Sequence, residues 1–144
     1  MRTIDTRIDM AAPPERVWSV LTDFAAYPGW NPFFVAVDGV AEPGAPLKLH
    51  TKFSNRFRTR IFPVTVYTVD APQVLLWGGG LAIPGIADGK HGFELTATVT
   101  GGTHLRHYEQ LSGLVIPIAG RLLSFLEHSY EQLNQALKER VESL

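Results

Sequence analysis

The feature that most constrains this chain is a single apolar stripe at its C-terminal end. Ile118, Leu122, Leu126, Tyr130, Leu133, Leu137, Val141 and Leu144 recur at helical spacing, while Glu127, His128, Glu131, Lys138, Glu139 and Glu142 take the opposite face. This period predicts one long helix with one buried face. Such a helix needs a broad apolar surface to lie on. The chain before it supplies a sheet. Between residues 33 and 113, turn signals recur at Glu42-Pro43-Gly44, Phe53-Ser54-Asn55, Asp70-Ala71-Pro72, Pro84-Gly85 to Asp88-Gly89, and Gly101-Gly102. That spacing predicts about six short strands joined as an antiparallel meander.

Ahead of the meander, Ile4, Thr6, Ile8 and Met10 alternate with Thr3, Asp5, Arg7 and Asp9, which predicts a half-buried first strand. Ala12-Pro13-Pro14-Glu15 then opens a short helix, because proline lacks only an N–H that a first helical turn leaves unpaired. Val17, Val20, Leu21 and Phe24 form its apolar face, and Tyr27-Pro28-Gly29-Trp30-Asn31-Pro32 ends it. The expected fold class is α+β. A curved antiparallel sheet of about seven strands surrounds a long C-terminal helix, with one or two short helices after the first strand, in one domain over residues 1–144.

Composition narrows the function. At 144 residues and 45% apolar content the chain can bury such a core. A net charge of −1 gives it no electrostatic attraction to nucleic acid or to an anionic membrane. With no cysteine, disulfides and thiolate chemistry are excluded, which fits a reducing compartment. Charges lie in Met1-Arg2-Thr3-Ile4-Asp5-Thr6-Arg7, where a signal peptide would need an apolar run. No stretch approaches the roughly 20 apolar residues of a membrane span, so a cytoplasmic protein is expected.

The last hairpin allows a sharper inference. Phe93, Leu95, Ala97 and Val99 share one strand face, and Leu105, His107, Glu109, Leu111 and Gly113 share a face of the next. A two-residue Gly101-Gly102 loop would pair Leu95 with Tyr108 and set the apolar row against the polar one. A three-residue loop, Gly101 to Thr103, pairs Phe93 with Leu111, Leu95 with Glu109 and Ala97 with His107. An odd-length loop is therefore expected. It turns Glu109, His107 and His91 toward the C-terminal helix. A carboxylate among apolar residues needs a partner or a raised pKa. Two readings stay open: Glu109 hydrogen-bonds a buried neighbour such as His107 and holds the sheet, or these groups orient a ligand in an apolar pocket.

The order of these elements, with Ala12-Pro13-Pro14-Glu15-Arg16-Val17-Trp18, Asp23, Tyr27-Pro28-Gly29-Trp30-Asn31-Pro32-Phe33, Leu76-Trp77, Gly89-Lys90-His91-Gly92-Phe93-Glu94-Leu95 and His107-Tyr108-Glu109-Gln110-Leu111-Ser112-Gly113-Leu114, resembles a known superfamily. It is the START-like or SRPBCC superfamily, the helix-grip fold of the pollen allergen Bet v 1 and of polyketide cyclase-like proteins. The resemblance covers essentially the whole chain. It implies a cavity between sheet and long helix, entered near the strand loops and the start of that helix. Small inward residues (Ala97, Gly113, Ser129 and the Gly78-Gly79-Gly80 run) leave interior volume. The expected ligand contacts are His91, Phe93, Leu95, Trp77, Leu111, Leu122, Phe125, Leu126 and Ser129. A useful cavity would measure roughly 300–1,000 Å³. Trp18, Trp30 and Trp77 are expected in the core. The apolar loops 81–87 and 114–118 mark a ligand portal or a partner surface, or else pack on each other.

Other chemistries fit poorly. Gly78-Gly79-Gly80 precedes an apolar loop rather than a helix, so it is no dinucleotide fingerprint. Gly85-Ile86-Ala87-Asp88-Gly89-Lys90-His91 is one residue short of a phosphate-binding loop and lacks its hydroxyl. His104 and His107, three apart on a strand, face opposite ways, and no metal or cofactor is expected. Lys48, Lys52, Arg56, Arg58 and Arg60 read as a solvated hairpin, with phosphates or lipid head groups as the alternative partner. Three functions result. The leading one is binding or transport of a hydrophobic polyketide-, isoprenoid- or lipid-like small molecule. The second is a cyclase or dehydratase using Glu109 or His107 as acid/base. The third is a module contacting a membrane or another protein. No nucleic acid partner is expected, and the chain is a monomer or a homodimer.

Overall fold

The alternating first segment and the turn signals after it produce seven strands. They are β1 (Arg2–Met10), β2 (Phe34–Asp38), β3 (Pro46–Thr51), β4 (Arg60–Asp70), β5 (Val74–Gly80), β6 (Asp88–Ala97) and β7 (Thr103–Ser112). In this computed structural model, which describes residues 1–53, 58–80, 85 and 87–144, all seven join one antiparallel sheet. Its order is β1-β7-β6-β5-β4-β3-β2, a meander whose last strand pairs back with the first. Irregular pairing between Phe34 and Ala36 and between Val66 and Thr68 bends the strands locally, and such bulges help a sheet curl.

Two helices close the concave side. The first, α1 (Pro14–Thr22), starts on its proline and buries Val17 and Leu21. The expected break at Tyr27-Pro28 is a tightened 3-10 segment over Phe24–Gly29, which carries Phe24 and Tyr27 into the core. The long helix α2 (Gly120–Glu142) packs along β1 and against α1. Its buried face holds Leu126, Tyr130, Leu133, Leu137 and Val141 as the period predicts, together with Leu123, Ser129 and Asn134. The ends of the predicted stripe differ. Ile118 is 86% exposed because it lies in a separate 3-10 turn, Ile116–Ile118, where Ile116 is the residue turned inward. Leu144 lies beyond the helix end and is also exposed. Of the three tryptophans only Trp77 is fully buried, while Trp18 and Trp30 pack on the core with one side in solvent.

The β6–β7 hairpin corrects the predicted pairing and keeps its consequence. Ala97 pairs with Thr103, Leu95 with Leu105, Phe93 with His107 and His91 with Glu109. The loop is thus residues 98–102, longer than the three residues expected. Thr98 closes it: its N–H bonds Gly102 O, its carbonyl accepts Gly101 N, and its hydroxyl accepts Gly102 N. Gly101 sits at φ +86°, which a side chain rarely adopts. Both loops are odd in length, so the side chains keep their faces although every pair shifts by four residues. Ala97 and Val99, expected in the apolar row, fall at the hairpin end and are exposed.

Asp88 and Gly89, read as turn residues, already belong to β6. Parts of the expected turn at Phe53-Ser54-Asn55, of the apolar loop 81–87, and Arg56 of the basic stretch lie outside the described residues. Lys48, Lys52, Arg58 and Arg60 are exposed. No described helix is long and apolar enough to cross a membrane.

Candidate functional site

The odd hairpin parity is what builds the site, because it delivers His91 from β6 and His107 and Glu109 from β7 to the concave face. There they meet α2. The Tyr130 hydroxyl donates to Glu109 Oε1. Glu109 Oε2 lies 3.5 Å from His91 Nδ1, an ion-pair distance. His91 Nε2 lies 2.6 Å from His107 Nε2, and His107 Nδ1 lies 2.7 Å from Asn134 Oδ1. Asn134 Nδ2 donates to Thr6 Oγ1 at 2.9 Å, and that hydroxyl donates to the His107 carbonyl at 2.7 Å. One polar chain therefore crosses the core from β1 to the helix. Thr6, His91, His107, Tyr130 and Asn134 are all buried, and every one of them has a partner.

Burial sets the charge states. The His107 imidazole is pushed well below the ordinary histidine pKa, first by desolvation and then by the neighbouring His91, with the Asn134 hydrogen bond opposing in part. It is neutral. The Tyr130 hydroxyl is pushed well above its ordinary pKa by burial, by the charge of Glu109 and by donating to that carboxylate. Tyr130 therefore stays a donor.

Aromatic packing fixes the rings. His91 stacks on Trp77 with ring centres 5.2 Å apart and planes 7° from parallel, and Tyr130 meets it edge-on at 5.0 Å. His107 stacks on Phe93 at 4.4 Å. From the β2 side, buried Asn31 accepts hydrogen bonds from the N–H groups of Phe33 and Phe34, at 3.0 and 2.9 Å, and so aims both rings inward. Gly89 lies beside the carboxylate. A Cβ there would sit 2.9 Å from Glu109 Oε2, so the missing side chain is what makes room for the acid.

Above this chain of groups lies an apolar cavity of about 110 Å³. Its walls come from β2 to β7 and from α2, chiefly Phe34, Leu49, Phe62, Trp77, Leu111 and Leu126. Glu109, His91, Tyr130 and Thr51 are its polar side chains, and no lysine or arginine lines it among the described residues. Leu122, at the first turn of α2, lines it and is 41% exposed, so the cavity reaches the surface there. The volume is below the range expected from sequence. Phe33, Phe34, Trp77 and Tyr130 converge on the space and occupy much of it.

Of the residues singled out from sequence, Glu109, His91, Trp77, Leu111, Leu122 and Leu126 line this cavity. Phe93 and Leu95 are buried below it and do not. His107 lies behind His91, fully buried, and touches no cavity space. Phe125 and Ser129 line a separate surface depression with Lys52, His128 and Gln132, and the Ser129 hydroxyl is taken by the Phe125 carbonyl at 2.9 Å. His104 points outward to Asp9, as its position three residues before His107 predicts. Tyr130 and Asn134 were missed as site residues. Their signal was present, since a tyrosine and an asparagine four apart both fall on the buried face of α2.

A curled antiparallel sheet closing on one long helix around an apolar cavity defines a helix-grip, START-like protein. The comparisons agree. The family described as "Polyketide cyclase / dehydrase and lipid transport" matches residues 1–142, and this chain belongs to that family. Among solved structures, protein MLL2253 from Mesorhizobium loti superposes with a TM-score of 0.79 at 23% identity, over 99% of this chain and 98% of that one. A START superfamily protein from Mycobacterium smegmatis gives 0.78 at 21% identity, over 98% and 97%. Ara h 8.0201 gives 0.76 at 13% identity, over 99% of both chains. At these identities the structures show the fold. No curated protein matches the sequence.

Proposed function

We propose that this chain binds a small, mainly apolar molecule of about one ring in the cavity between the sheet and α2. The observation that carries this reading is a surface-reaching cavity walled by Phe34, Leu49, Phe62, Trp77, Leu111 and Leu126, with one carboxylate at its inner edge. A mostly apolar pocket with few placed polar groups is the usual form of a small-molecule site. An apolar cavity of about 150 Å³ holds benzene, which sets the scale of the ligand. The family's description includes lipid transport, which supports binding of an apolar molecule. Native mass spectrometry of the purified protein tests the reading. A co-purified apolar compound is expected, and Leu122→Trp, which plugs the mouth without disturbing the core, releases it. Retention of the same compound by the plugged variant would sink the proposal.

Glu109 supports a second, catalytic reading, because it faces the cavity and lies 3.5 Å from His91 Nδ1. In that case Glu109 is the acid/base and His107 a positioning residue, since His107 lies outside the cavity. Glu109→Gln then abolishes turnover of a polyketide-like substrate, whereas a carrier loses modest affinity.

A further inference from the structure

The two sides of α2 that reach solvent carry different chemistry. Glu127 and Glu131 turn to the β1 side, where they border polar surface beside Asp5. On the β2 side the helix meets a separate depression of about 420 Å³, whose walls include Asn31, Lys52, Phe53, Phe125, His128 and Gln132. Among the described residues no acid lines it. Phe33 and Phe53 border both this depression and the inner cavity, so aromatic rings stand between the two spaces.

The depression holds a donor with nothing to donate to. Asn31 is 5% exposed, and its Oδ1 accepts from the N–H groups of both Phe33 and Phe34. That fills the oxygen's two lone pairs and fixes the amide's orientation, because an amide nitrogen accepts neither. Nδ2 therefore lies at the other end with two hydrogens. They have no partner among the described residues, and the atom is not sealed in the core. A donor on a residue this buried costs free energy until water or a ligand takes its hydrogens. At the rim stands Lys52. The chain has no acid between Glu42 and Asp70, and no ion pair among the described residues includes this lysine. Gln132 and His128, one helical turn apart on α2, add an amide and an imidazole. The Ser129 hydroxyl adds no donor, since it is committed to the Phe125 carbonyl.

We propose that this depression is a second ligand site, outside the inner cavity, which takes a small organic carboxylate with its apolar body against the Phe53 and Phe125 rings. Those rings lie 6.2 Å apart between centres and both reach solvent, so they offer an apolar surface. Charge favours a monoanion, because Lys52 is the one cation that lines the site among the described residues apart from any protonated His128. Phosphate is matched less well. It is usually cradled by free backbone N–H groups or arginine, whereas here the Phe33 and Phe34 N–H groups are held by Asn31 and that of Lys52 by the Phe33 carbonyl. A carboxylate has two oxygens, one for the Asn31 amide and one for the Lys52 ammonium. The site does not depend on what the inner cavity holds.

The test titrates nitrogen-15-labelled protein with benzoate, its neutral counterpart benzamide, and inorganic phosphate. Benzoate is expected to move the side-chain NH2 signals of Asn31 and Gln132. It should bind about tenfold tighter than benzamide, the difference between a charged and a neutral acceptor. Lys52→Glu, at an exposed position, is expected to weaken benzoate about fivefold and to leave benzamide unchanged. Asn31→Asp keeps an acceptor for Phe33 and Phe34 but puts an oxygen where the donor was, and should weaken benzoate about tenfold. Shifts at the Trp77 indole with none at Asn31 or Gln132 would place benzoate in the inner cavity and overturn the outer site. Equal affinities for benzoate and benzamide overturn it as well. Phosphate binding tighter than benzoate overturns the carboxylate assignment. An unaltered benzoate affinity in Lys52→Glu overturns the proposal even where Asn31→Asp does not fold. In each case the binding role of the inner cavity is untouched.

Discussion

The two halves of α2 do opposite work on one continuous face. Toward its C-terminus, Leu133, Leu137 and Val141 are sealed under β1 and α1 with essentially no exposure. Toward its N-terminus, Leu122 and Phe125 are 41% and 37% exposed, and in the segment just before it Leu114, Val115 and Ile118 lie in solvent. The sequence spacing is helical throughout. The difference lies in what else the helix meets: β1 runs beside both halves, whereas the N-terminal half alone borders the cavity, through Leu122, Leu126 and Tyr130. Tyr130 and Asn134 mark the boundary, where apolar packing gives way to the hydrogen-bonded chain. Stability is concentrated in the closed half, and room for a ligand is left in the open half.

Three changes break or sharpen this contrast. The largest effect is expected from Leu137→Ala, which should cost about 2–5 kcal/mol because it leaves a void in the sealed half. Leu122→Ala, at the open end, should cost within about 1 kcal/mol. Equal losses in urea denaturation would erase the distinction between the halves. Next comes the boundary. Asn134→Leu leaves the His107 Nδ1–H buried without an acceptor and should cost about 1–3 kcal/mol. A neutral result there would mean that the polar chain contributes nothing to holding the sheet on the helix.

The smallest and most graded effect is on pH dependence. Folding holds the His107 pKa below its ordinary 6.5, so the unfolded chain takes up the proton first. Stability attributable to this group is therefore present above about pH 6.5 and is lost as pH falls toward the folded value. Glu142 adds a second decline at lower pH. It accepts from the Ala11 N–H and from Lys138, its pKa is lowered from 4.5, and its contribution is lost as pH falls below that value. The urea midpoint should fall between pH 7 and 5 in the wild type, and His107→Gln should flatten that slope. A slope unaltered by the substitution would show that another group carries it.

Much of this was legible in the residues themselves. The spacing of Leu126, Tyr130, Leu133, Leu137 and Val141 gave the long helix and its buried face, and turn signals gave the strand count. Parity alone put His91, His107 and Glu109 on one face, even though the predicted pairing of Phe93 with Leu111 was wrong. Strand periodicity is local and has only two outcomes, so a loop of any odd length gives the same answer. The exact register depended on Thr98 bonding within its own turn, and no apolar pattern records that.

What the chain alone determined, then, was which residues face inward. Tertiary structure decided which of them share a space. Phe93 and Leu95 point inward as expected but are covered, because Trp77, His91 and the β2 aromatics pack above them. Cavity size came from the meeting of Phe33 and Phe34 on β2's side, Trp77 on β5 and Tyr130 on α2, elements far apart in sequence. The direction of the hydrogen-bond chain likewise needed Thr6 and Asn134 to arrive from opposite ends of the molecule. Periodicity reports the orientation of one element, whereas volume and hydrogen-bond direction belong to the contacts between several.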